Sequence, residues 1–123
     1  MEKQIASFRR VLSHELFHAL LDEYITDKEY YNPNRIESET LFLLMNEGIA
    51  HFIADGEHIH SRYETLREQE KQLFSLFSEK AKIIFNKDEN YEIRSSVLKE
   101  GMFGPYWEKY VSITGLFMAD YNI

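Results

Sequence analysis

The chain has 123 residues, enough for one domain with its own core. Apolar residues make up 44% and charged residues 28%, interspersed along the sequence as in a folded chain rather than a disordered one. A net charge of −7 with no cluster of Lys or Arg excludes a binder of phosphate backbones, and the lack of cysteine excludes disulfides and thiolate metal sites, so any metal must be held by His and carboxylates.

The first thirteen residues, MEKQIASFRRVLS, lack the apolar core of a signal peptide, and no stretch is apolar for the roughly eighteen residues a membrane span needs. The expectation is a soluble, cytoplasmic chain with no membrane-spanning segment. Ile5, Phe8, Leu12, Leu16, Ala19 and Leu20 fall on one side of a helical wheel, which predicts an amphipathic first helix running to about Tyr24. ITDKEYYNPNRIE, with Asn-Pro-Asn and no apolar period, reads as a loop. A second helix is expected over Ser38–Asp55; its LFLLMNEGIAHFIA core is apolar on nearly every side, as in a central helix surrounded by others.

After Gly56, Ser61-Arg62-Tyr63-Glu64 has the form of a capping box, and Leu66, Leu73, Phe77 and Ile84 carry one stripe through a long, partly exposed third helix. Asn86 to Asn90 breaks the pattern, a short helix follows from Tyr91 to Glu100, and Gly101 is placed to stop it. Gly104-Pro105 then starts the last helix, with proline in the first turn. No strand pattern and no repeat is visible. The expected fold is all-α, about five helices in a single domain over 1–123, cut at one or both ends from something longer.

His14-Glu15-Leu16-Phe17-His18 is an HExxH pattern inside a segment assigned as helix on independent grounds. Histidines at i and i+4 stack on one face, so both imidazoles can reach one zinc, with Glu15 beside a water on that metal. Three fixed residues recur by chance, so a third ligand must decide the matter. Asp22, eight residues beyond His14, is about 12 Å along the axis, too far for a ligand, and reads as a carboxylate orienting a histidine or as a solvated side chain. Glu47 is the stronger candidate, because the second helix is apolar except for Glu47, His51 and Asp55 at i, i+4 and i+8. A carboxylate in such a helix needs a compensating cation, either a metal or Arg9, Arg10 or Arg62. Gly48 and Ala50 keep the flank of Glu47 small for a close approach of the first two helices. His51 reads as a buried histidine supporting the ligands, and His58 and His60 as loop or helix-start residues.

HELFHALLDEY followed by NEGIAHFIAD, with 28 residues between His18 and Glu47, resembles the gluzincin zinc peptidases, whose pattern is HExxH and then Glu in an E-[GS]-x-A context. The tail GPYWEKYVSITGLFMADY is similar to the segment after the third ligand in a zinc-dependent peptidase family of that clan. The matching segments make up about a third of the chain. It implies a zincin-like helical core, a zinc ion on His14, His18 and Glu47, Glu15 as general base, a peptide or protein substrate, and Tyr106 or Tyr110 as an oxyanion donor. Such peptidases also carry, ahead of the HExxH helix, a small sheet whose edge pairs with substrate; only thirteen residues precede His14 here. The alternative is a non-catalytic zinc-binding or scaffold domain derived from such a peptidase.

Overall fold

The computed structural model describes residues 1–24 and 35–122. The chain order is α1 (Glu2–Tyr24), α2 (Ile36–Ser61), α3 (Tyr63–Ile84), α4 (Tyr91–Glu100), a single 3-10 turn (Tyr106–Glu108) and α5 (Ser112–Asn122), with no strand among the described residues. The all-α expectation with five helices holds. The expected loop falls largely on residues 25–34, outside the described residues, and from Ile36 the chain is already helical.

α2 is the central element, packed on each of the other α-helices. Ile36, Leu44, Ala50 and Ile59 are buried along it, and the Thr40 hydroxyl returns to the Ile36 carbonyl at 2.7 Å. It runs through Gly56 to Ser61, six residues beyond the expected end. A helical glycine costs about 1 kcal/mol; here Gly56 is buried beside the Phe52 ring, and packing of Ile59 sustains the last turns. His58 and His60 therefore lie within α2 rather than at a loop or helix start.

α5 crosses α2 backbone to backbone. A Cβ built on Gly48 would lie 2.6 Å from the Gly115 carbonyl oxygen, and one on Gly115 would lie 2.9 Å from Gly48 Cα and strike the Leu44 carbonyl. Only hydrogens fit between the axes there. Gly48 thus serves the α2–α5 crossing, not the approach of α1, which corrects its expected role. Around the crossing, Val111, Ile113, Leu116 and Phe117 are fully buried and form the centre of the core.

α3 closes the other side through Leu66, Leu73 and Ile84, with Phe77 packed on the cluster, the stripe expected from the sequence. Its start differs. The cap is Arg62, whose side chain makes no capping hydrogen bond, because α2 persists to Ser61 and displaces the expected capping box. α4 begins as expected at Tyr91, behind the Asn90 cap, whose Oδ1 accepts from the Glu92 amide at 2.7 Å. Buried Arg94 ties α4 down by donating to the Ile84 carbonyl at 2.7 Å and to Glu37 at 3.1 Å. Gly101 ends α4, but in right-handed conformation; it is required because a Cβ would meet the Tyr110 ring at 2.6 Å. Among the described residues, Gly104 is the one with positive φ, at 95°. Pro105 does not start α5: it opens the 3-10 turn, and α5 begins only after the amides of Val111 and Ser112 have bonded back to the Gly101 carbonyl.

α1 departs most from expectation. Its length is as predicted, but the apolar stripe is not its packed face: Ile5, Phe8, Leu12, Leu16 and Leu20 are each about half exposed or more. The face against α2 carries Ser13, His14, Phe17, His18 and Leu21 instead.

Candidate metal centre

One turn of α1 separates His14 from His18 and stacks them on the face that meets α2. Across the helix interface stands Glu47. The Nε2 atoms of His14 and His18 are 3.0 Å apart, and the Glu47 carboxylate places Oε1 3.4 Å from His18 Nε2 and Oε2 3.7 Å from His14 Nε2. One ligand atom from each residue lies within 4.8 Å of the other two. Ligands about 2.0–2.1 Å from one zinc at tetrahedral angles stand roughly 3.3–3.4 Å apart, so the spacing fits a single ion held by two imidazoles and a carboxylate. The three side chains are about one-fifth exposed, sheltered but open to solvent on one side.

The histidines are oriented from behind. His18 Nδ1 lies 3.0 Å from the Asn46 side-chain oxygen. With Nδ1 donating there, Nε2 keeps its lone pair toward Glu47 and His14. The His14 ring meets His51 edge-on at 4.5 Å. Burial pushes the His14 pKa down, and His51 and His18 push it the same way against the opposing charges of Glu47 and Glu15. The imidazole is thus held neutral, the form that binds metal.

Further along α2 the polar line continues. His51 Nδ1 is 3.7 Å from Asp55, and Asp55, nearly buried, also pairs with Arg10 of α1 and accepts from the Tyr106 hydroxyl at 3.2 Å. Burial pushes the Asp55 carboxyl up, but the neighbouring His51 and Arg10, with the Tyr106 hydroxyl, outweigh it and hold the carboxyl below its ordinary value. The Tyr106 hydroxyl is pushed up, by burial first and then by Asp55, so it remains a donor.

A cleft of about 300 Å³ opens beside the cluster, with His14, Glu15 and His51 at one end and Asp55, Tyr106 and Lys109 towards the other. Glu15 is exposed at this rim. Tyr110 lies elsewhere: its ring is in the core and its hydroxyl donates to the Val97 carbonyl. Asp22 is exposed near the end of α1, and the group beside His18 is Asn46. Arg10, expected as a possible partner of Glu47, pairs with Asp55. Asn46 and the Arg10–Asp55 pair were not singled out from the sequence, although Asn46-Glu47 is a polar pair in an otherwise apolar run.

An all-helical domain that brings two imidazoles and a carboxylate together from two helices is a candidate single-metal domain. Residues 1–121 match the family described as "Putative zinc dependent peptidase (DUF5700)", and the chain belongs to that family. Neither the curated proteins nor the solved structures give a match. Among the described residues, no helix is long and apolar enough to cross a membrane.

Proposed function

We propose that this chain is the metal-binding domain of a gluzincin-type peptidase, with zinc on His14, His18 and Glu47. The observation that carries the reading is the convergence of the two Nε2 atoms, 3.0 Å apart, on the Glu47 carboxylate. Two imidazoles and a carboxylate form a donor set suited to catalytic zinc, which needs three protein ligands and an open position. Zinc held there would activate a water and polarise the scissile carbonyl.

The chain supplies the rest. Glu15, next to His14 at the cleft rim, takes the water's proton on its carboxylate and passes it to the leaving amine. Tyr106 is favoured over Tyr110 for stabilising the carbonyl oxygen, because it lines the same cleft while Tyr110 is committed to Val97. In the resting state Asp55 holds the Tyr106 hydroxyl. Asn46 keeps His18 in the tautomer that presents Nε2, and His51 shields and orients His14.

Zinc per chain, measured by elemental analysis after purification without a metal-affinity tag, tests the ligand set. About one equivalent is expected in the parent and little in Glu47→Ala; no zinc in the parent after reconstitution overturns the reading. Glu15→Gln should retain the metal and lose hydrolysis of a casein or quenched-peptide substrate. The second reading, a non-catalytic zinc module, is favoured by the absence of a strand among the described residues to pair with a peptide backbone. A zinc-replete parent with no hydrolysis selects it.

A further inference from the structure

The cleft does not end at Asp55. A second hollow of about 210 Å³ shares Arg10, Asp55 and Tyr106 with it and adds His58, Arg62 and Trp107. The run from the His-Glu cluster to this hollow is lined by three cations, Lys109, Arg10 and Arg62, in a chain whose net charge is −7. The two carboxylates on the same walls are Glu15, at the cluster end, and Asp55. Asp55 is nearly buried and already engaged by Arg10, His51 and Tyr106. Arg62 is exposed, with Nη1 3.2 Å from His58 Nε2, and Lys109 Nζ stands 6.0 Å from the Tyr106 ring centre. Lys109 lines the hollow beside the cluster, Arg62 the hollow beyond it, and Arg10 both, so the three cations are spread along the groove.

We propose that the groove beyond the cluster is a subsite for a peptide carboxylate, held by Arg62 in the second hollow and by Lys109 on the wall of the first, with Arg10 on both. The inference rests on the peptidase reading and names its substrate class: peptides bearing a negative group some way from the bond at the metal. From Glu47 to Asp55 along α2 is about 12 Å at 1.5 Å per residue, or roughly four residues of extended peptide. The carboxylate can come from a free C-terminus or from an Asp or Glu side chain. Both match the planar fork of arginine.

Trp107, the one tryptophan of the chain, lines the hollow and reports on it directly, without metal or catalysis. The test is a tryptophan-fluorescence titration of the zinc-loaded protein with N-acetylated hexa-alanine, as free acid and as C-terminal amide. A second pair of amidated peptides carries Glu or Gln at the fifth position. At least tenfold tighter binding of a carboxylate peptide than of its neutral partner is expected, and whichever pair shows it identifies the source. That preference should fall at least fivefold in Arg62→Gln and in Lys109→Gln. Equal binding of acid and neutral peptides, no fluorescence response to any of the four, or an unchanged preference in both variants overturns the subsite. Hydrolysis of the same peptides is scored separately. Selective binding without cleavage removes the peptidase reading and keeps the subsite, and cleavage indifferent to the carboxylate does the reverse.

Discussion

Asp55 receives contacts from α1, from one turn earlier on α2 and from the 3-10 turn, so one carboxylate ties three parts of the chain at the cleft. Asp55→Asn should destabilise the fold by roughly 1–3 kcal/mol, read by urea denaturation, since Arg10 and Tyr106 lose a charged acceptor. Because the folded carboxyl is held below its ordinary 3.8, its contribution is complete above that value and is lost as pH falls through the depressed folded value. The parent should therefore lose stability more steeply than Asp55→Asn below about pH 4; parallel curves would remove this role. Asn46→Ala should weaken zinc binding about 10–100-fold in a chelator competition, by freeing the His18 ring. At this scale the sequence was readable where chemistry follows spacing. His14 and His18 share a face through the helical period, and Glu47 was marked by being a carboxylate in an apolar helix. The Asn46 contact to His18 and the Arg10–Asp55 pair, 45 positions apart, depend on how α1 rotates on α2, which no local pattern encodes.

Between elements, the decisive contact is Gly48 on Gly115. Gly115→Ala would drive a methyl into the Leu44 carbonyl, a backbone atom that no rotamer change can move. A loss of roughly 1–3 kcal/mol or more is expected, read as a fall in Tm, and Gly48→Ala should behave alike. A Gly115→Ala variant as stable as its parent would mean the helices do not cross so closely. Helix existence was legible throughout, because each apolar run has a period and a break. Helix ends were less so: burial carried α2 past Gly56 and displaced the Ser61 capping box. The α1 stripe shows a different limit. Periodicity marks an apolar face but does not say which neighbour covers it, and in α1 the face carrying His14 and His18, not the apolar one, meets α2.

For the molecule as a whole, that uncovered stripe is an exposed apolar surface, so the folded protein should enhance the fluorescence of the dye ANS. Phe8→Glu with Leu12→Glu should reduce the signal by at least half at unchanged Tm; an unchanged signal would locate the dye elsewhere. Zinc at a hundredfold excess over its Kd should add about 2.7 kcal/mol, or roughly 10 °C in Tm. The division of the proposed ligands, two on α1 and one on α2, makes the ion a cross-link that closes a ring of chain from His18 to Glu47. Since α1 rests mainly on α2, stripping the metal should speed hydrogen exchange across α1 many-fold and leave the amides of α5 as slow as before. A chelator would then act as a selective solvent for one helix, undoing the fold from its α1 edge while the glycine crossing stays shut.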